Sequence, residues 1–211
     1  MERVRSAGMT DLASLFGPID VYFFDQLLRG NVRPGMTVLD AGCGGGRNLI
    51  FLLREGYEVF GVDPSPGAIQ AVRALAAQLA PSLPAENFRT ETIESSRFPD
   101  RFADVVVSSA VLHFARDEAH FREMLLGAWR RLKTGGLFFC RLASSIGMAD
   151  RMKPLGGWRF RLPDGSERFL VDELFLLALT EELGGSLVDP LKTTLVQDQR
   201  CMTTWVARRE R

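Results

Sequence analysis

Gly42 to Gly46 holds four glycines in five residues, set in the run Val38-Leu39-Asp40-Ala41-Gly42-Cys43-Gly44-Gly45-Gly46-Arg47-Asn48. A backbone without Cβ atoms can turn sharply and lie within contact distance of a ligand. A flat or bulky molecule is therefore expected against this loop. Asp63 closes the next apolar run, Glu58–Asp63 (EVFGVD). An acidic residue there in a nucleotide-binding βαβ unit accepts both ribose hydroxyls. Loop and carboxylate together predict a ribose-bearing cofactor. A dinucleotide fingerprint, GxGxxG, would place glycine at position 47, where Arg47 stands. The spacing present is DxGxGxG, from Asp40, Gly42, Gly44 and Gly46. A carboxylate at Asp40 suits a cofactor carrying an ammonium and a sulfonium and would repel a pyrophosphate.

Other residues capable of chemistry carry weaker signals. His113 follows a strong apolar run, where a base that activates an acceptor could sit, although a core or helix-start histidine has the same pattern. His113 and His120 are not at the i, i+4 spacing of a helical metal pair, so no metal is expected. Asp117 and Glu118 suit a helix N-terminus and need no catalytic role. Cys43, Cys140 and Cys201 are widely separated with no CxxC pair, and read as reduced thiols.

The elements that must position these residues are an alternation of apolar runs and amphipathic segments, the pattern of a parallel sheet covered by helices. Strands are expected at 36–40, 58–63, 87–90, 103–108 and 136–142. Helices are expected at 47–55, 66–79 and 118–132, the last stopped by Thr134-Gly135-Gly136. Residues 11–29, with the cluster Tyr22-Phe23-Phe24, are expected as one helix packed on the sheet or over the cofactor. Residues 1–35 as a whole are expected to form an N-terminal helical cap. Residues 158–171 alternate around Asp164-Gly165, a hairpin signal, so 148–171 is expected as a lid or edge insertion. A helix at 172–183 and strands at 191–196 and 202–207 close a single domain over 1–211.

The chain has 211 residues, 46% of them hydrophobic, enough for a substantial core. Lys+Arg and Asp+Glu both number 26, so bulk charge favours neither nucleic acid nor an anionic membrane. The longest aliphatic stretch, 174–179, falls far short of a spanning helix, and MERVRSAGMTDLASLFG has no apolar h-region, so no secretory leader is expected. A cytoplasmic protein is expected.

VLDAGCGGGRN followed by VFGVDPS, then FPDRFADVVVSSAVLHF and RRLKTGG, resembles the class I S-adenosylmethionine (SAM)-dependent methyltransferases over about residues 36–142. The resemblance implies a Rossmann-like three-layer α/β sandwich, with a seven-stranded, mostly parallel sheet containing one antiparallel strand. It implies SAM as cofactor and direct methyl transfer to a small-molecule acceptor. Carried over by position, Asp40, Gly42, Cys43, Gly44 and Asn48 would line the methionine and ribose, Asp63 would take the ribose hydroxyls, and Pro64 would lie beside the adenine. The family's Gly-Asp pair after the third strand is replaced by Glu91-Thr92, leaving Thr92 or the Ile93 backbone to meet the adenine. Ser109 and Ala110 would pass beneath the methionine and face the acceptor.

Within the superfamily, the GRN after the glycine loop, SSAVLHF and TTWVARRE resemble tellurite-resistance-type and thiopurine-type enzymes, which implies oxyanion or thiol acceptors. Arg47, Arg141, Arg159 and Arg161 are the candidate anion ligands. A sulfonium is already an activated leaving group, so alignment and exclusion of water would be the protein's main contribution. A SAM-binding regulatory or assembly protein without transferase activity is the alternative, and either a monomer or a homodimer is compatible with the sequence.

Overall fold

The computed structural model describes residues 11–211, so the first ten residues of the expected cap lie outside it. The helix expected over 11–29 is two helices, α1 (Leu12–Phe16) and α2 (Val21–Leu28). Pro18 has no N–H with which to continue a helix, and each helix has its own aspartate cap. Asp11 accepts from Ala13 N and Asp20 from Tyr22 N. Phe23 of α2 is fully buried with its ring 5.2 Å from Phe139 on the sheet, while the Tyr22 hydroxyl meets Thr194. The aromatic cluster thus packs onto the sheet.

The expected alternation follows: β1 (Thr37–Ala41), α3 (Ile50–Arg54), β2 (Glu58–Asp63), α4 (Pro66–Leu79), β3 (Phe88–Thr90), β4 (Ala103–Ser109), α5 (Glu118–Arg131) and β5 (Leu132–Ala143). Helix α3 starts later than its sequence signal at Arg47. Residues 46–49 form a tight turn closed by Leu49 N to Gly46 O, and Asn48 accepts from Asp20 N instead of capping α3. The Thr134-Gly135-Gly136 break does not stop α5, which ends at Arg131. Leu132 pairs with Ala103 and Leu137 with Val105, so the break is an irregularity inside β5.

A second, three-stranded antiparallel sheet follows, made of β6 (Lys153–Gly156), β7 (Arg159–Arg161) and β8 (Glu167–Phe169). The expected hairpin is β7–β8. Strand β6 has no alternating pattern, because Pro154 and Gly156 interrupt it. Helix α6 (Glu173–Glu182), β9 (Gly185–Leu187), β10 (Lys192–Val196) and β11 (Arg200–Arg209) complete the chain.

The main sheet runs β10-β11-β5-β4-β1-β2-β3. β11 is antiparallel to β5, β9 and β10, and β1 to β5 are mutually parallel, so β11 alone is reversed. The short β9, paired with the end of β11, makes an eighth strand where seven were expected. Alternation sends Leu39, Val106 and Phe138 towards α5 and α6, and Val38, Val105 and Phe139 towards α2, α3 and α4. The result is a three-layer sandwich, each fully buried Leu or Phe contributing about 1.5–3 kcal/mol. Parallel pairing brings the carboxyl ends of β1, β2, β3, β4 and β5 to one edge, the ligand-binding edge of such sheets. Among the described residues no helix is long and apolar enough to cross a membrane.

Candidate functional site

The glycine loop leaves β1 at this edge and is fastened to β2. Gly42 N and Cys43 N both donate to Val62 O, at 2.8 and 3.0 Å. Gly42 holds φ +93°, and a Cβ there would lie 2.4 Å from Val111. Gly44 holds φ +50° and a Cβ would meet nothing within 4 Å, so the loop is left open on its outer side. Asp63 joins this loop to the next turn: one carboxylate oxygen accepts from Gly44 N at 3.0 Å and the other from Ser65 N at 2.9 Å. Each oxygen retains a lone pair for a further donor.

Asp40 lies beneath the loop, only 2% exposed, and its Oδ1 has no hydrogen-bond partner among the described residues. Burial pushes its carboxyl up to about 7, against the pull of Arg47 and with the help of Asp63. An unpaired buried carboxylate beside an open backbone favours a cationic ligand. The Cys43 thiol is buried and pushed far above its usual range by burial and by Asp40 and Asp63, so Cys43 offers the site its backbone and not a nucleophile.

Three adjoining cavities surround the loop. The first, about 380 Å³, is walled by Gly42, Val62, Asp63, Pro64, Thr92, Ile93, Ala110, Phe114, His120 and Met124. Its mainly apolar walls beside the carboxylates of Asp63, Glu91 and Glu94 suit a flat base joined to a sugar. The second, about 340 Å³, follows the loop past Gly42, Cys43, Gly44, Arg47, Asn48 and Ser109. The third, about 280 Å³, lies beyond Ala110 and includes Arg47, His113, Arg141, Ala143, Arg168 and Arg200. Ala110, shared by the first and third cavities, holds φ +64° while donating to Arg141 O at 2.7 Å. A non-glycine residue held there stores strain of the kind found at functional sites.

Asp20 ties these walls together and was not singled out by the sequence. Its buried carboxylate accepts from Ser109 Oγ at 3.1 Å and Arg141 at 3.3 Å, with Arg47 at 3.8 Å. Ser109 also accepts from Arg47 at 2.9 Å. Asn48 reaches Asp20 N at 3.0 Å, which locks α2 to the glycine loop.

His113 is 5% exposed, and its Nδ1 accepts from Ala143 N at 3.1 Å. Burial, then Arg168 and Arg141, push its pKa down to about 4. The neutral ring therefore carries its proton on Nε2, making it a hydrogen-bond donor. The base expected at His113 does not suit this geometry, because neither nitrogen has a free lone pair.

Most other expected residues are brought together: Gly42, Asp63, Pro64, Thr92, Ile93 and Ala110 at the first cavity, and Cys43, Gly44, Asn48 and Ser109 at the second. Arg47 and Arg141 line the third, whereas Arg159 and Arg161 pair with Glu167 away from it. Glu91 is held by Arg97, at 3.0 Å from its backbone N and 2.8 Å from Nε, and lines the first cavity. His120, Arg168 and Arg200 were missed. The strand alternation that turns Arg168 away from Glu167 was their one readable signal. Among the described residues no group of three or more His, Cys, Asp or Glu could hold a metal ion.

A methyltransferase-domain family model matches residues 39–140. A ubiquinone biosynthesis O-methyltransferase of Methylobacterium sp. (strain 4-46) is 32% identical over 73% of this chain and 61% of its own length. One of the same name from Ruegeria sp. (strain TM1040) is 30% identical over 79% of this chain and 67% of its own. The chain thus spans less than two thirds of the first of these relatives. The crystal structure of Burkholderia thailandensis 1,6-didemethyltoxoflavin-N1-methyltransferase with bound 1,6-didemethyltoxoflavin and S-adenosylhomocysteine superposes with a TM-score of 0.66. It is 20% identical, and the match covers 88% of this chain and 75% of that one.

Proposed function

The chain belongs to the class I SAM-dependent methyltransferases, and from that membership we propose that it moves the methyl group of SAM onto a small-molecule acceptor. The observation that carries this reading is the Asp63 carboxylate, shared between Gly44 N–H and Ser65 N–H where two cavities meet. In this reading its remaining lone pairs take the ribose hydroxyls. Pro64, Thr92 and Ile93 flank the adenine, and Gly42, Gly44, Asn48 and Ser109 follow the methionine. Asp40, buried and unpaired, supplies the counter-charge for the cationic end. SAM, when bound, supplies a methyl group on an activated sulfonium leaving group.

The chain's own task is then to align the acceptor and keep water away. Ala110 forms the wall between the adenine side and the third cavity, which we assign to the acceptor. His113 donates a hydrogen bond there and positions the acceptor. Arg47 and Arg141 support an oxyanion of the tellurite or selenite kind. A thiol or a hydroxyl, the latter by analogy with relatives named O-methyltransferases, fits the same alignment.

The test is S-adenosylhomocysteine formation, followed by mass spectrometry, on incubating the protein with SAM and tellurite, selenite, thiols or phenols. Acceptor-dependent product is expected. Tight SAM binding with no turnover on any acceptor would instead support a SAM-binding regulatory or assembly protein.

A further inference from the structure

We propose that the third cavity binds an organic acid, an apolar body bearing a carboxylate, with Arg168 and Arg200 as its anion-binding residues. The proposal rests on reading this cavity as the acceptor site. Four arginines line it, and two are already balanced from behind: Asp20 lies 3.3 Å from Arg141 and 3.8 Å from Arg47. Arg168 and Arg200 have no carboxylate within 4 Å among the described residues. Asp164 at the rim is engaged with Ser166, whose backbone N and hydroxyl lie 2.9 and 2.6 Å from Oδ1. Counting Asp20 and Asp164 against the four guanidinium groups leaves positive charge in excess, which favours an anion.

Arg168 is held in place without being neutralised. On β8, Glu167 faces outward to Arg159 and Arg161, and alternation turns Arg168 to the other side. Its guanidinium donates to Glu167 O at 2.8 Å and lies 4.8 Å from the Phe114 ring, so its rotamer freedom is reduced before any ligand arrives. Arg141 adds a buried Nε with no hydrogen-bond partner. Its cost is removed if an acceptor oxygen reaches it.

Beside the arginines, His113, Asp164 and Ser166, the wall holds an apolar side made of Ala110, Ala143, Leu162, Val196 and Met202. The arginines compensate an anionic group of either kind, but only a ligand with a carbon body also gains from burial against these apolar side chains. At about 280 Å³ the cavity lies at the small end of ligand sites, fitting a one-ring or short-chain acid.

The test is calorimetric titration of the protein, alone and with S-adenosylhomocysteine bound, against benzoate, 4-hydroxybenzoate and short aliphatic acids. The matching methyl esters and selenite complete the set. At least one acid should bind, with its ester at least about tenfold weaker. Arg168→Gln and Arg200→Gln should each weaken the acid about tenfold while leaving S-adenosylhomocysteine affinity unchanged. Acids and esters binding alike, no acid binding at all, or unaltered acid affinity in both variants would overturn the proposal. So would selenite binding as tightly as the best acid. Loss of S-adenosylhomocysteine binding by the unmodified protein, with acids still bound, would sink the methyltransferase reading and leave the anion site standing.

Discussion

Asp40 and His113 are both buried ionisable groups, and their protonation runs in opposite senses. The Asp40 carboxyl is pushed up to about 7, chiefly by burial, so its charge appears as pH rises through neutrality. A cationic cofactor selects the ionised form, and SAM should therefore bind more tightly from pH 6 to pH 8, a trend flattened in Asp40→Asn when titrated across the same range. Without ligand the sign for stability is reversed. A carboxyl raised in the folded state favours folding at acid pH and loses that contribution as pH rises through its folded value. Asp40→Asn should consequently be more resistant to urea than the parent at pH 8. His113 is pushed down to about 4, so its contribution is present above the ordinary histidine range and is lost as pH falls towards 4. His113→Gln retains a donor and should keep more activity than His113→Phe. If the two are equally active, the hydrogen-bonding role is wrong.

At the scale of elements, the strand-to-helix turns are the most sensitive points. Gly42→Ala places a Cβ 2.4 Å from Val111 at φ +93°, and strain plus overpacking should cost about 2–4 kcal/mol, read as a lower denaturation midpoint. Asp20→Ala removes the α2 cap and leaves the Ser109, Arg47 and Arg141 donors without their shared carboxylate. A loss of about 2 kcal/mol is expected from cap and buried hydrogen bonds together, with weakened SAM binding because Ser109 and Arg47 beside the glycine loop lose their anchor. Strands β1, β2 and β4 were legible because short, mainly apolar runs ending in Asp40, Asp63 and Ser108 alternate with helical segments, the pattern of buried parallel strands. Strand β6 was not, since Pro154 and Gly156 carry no alternation and its pairing depends on the β7–β8 hairpin beside it. The α1–α2 break was readable at Pro18, yet the apolar residues on either side favoured one continuous helix.

At the scale of the whole molecule, parallel pairing gathers residues distant in sequence to one edge, and this made the glycine-loop side of the candidate site, which we propose for the cofactor, legible as a cluster. Asp40, Gly42, Gly44 and Asp63 lie on adjoining strand ends, so local spacing fixes their geometry. The third cavity draws on β4, β5, the β7–β8 hairpin and the β10–β11 turn, an assembly no local pattern encodes. Arg200 was invisible for that reason, and Arg168 was signalled only by its alternation with Glu167. Because the cofactor would touch β1, β2, β4 and their loops together, ligand binding should stabilise the fold globally. S-adenosylhomocysteine at 100 times its Kd should add about 2.7 kcal/mol, a rise in Tm of about 5–10 °C that differential scanning calorimetry can follow.

Calorimetric titration of the folded protein with SAM, alongside Asp63→Ala and an NAD control, tests the central claim most directly. Saturable SAM binding, abolished or weakened at least about a hundredfold in Asp63→Ala, with no NAD binding, is the expected result. No SAM binding to protein shown to be folded, or equal binding by the variant, would contradict the assignment of this edge as the cofactor site.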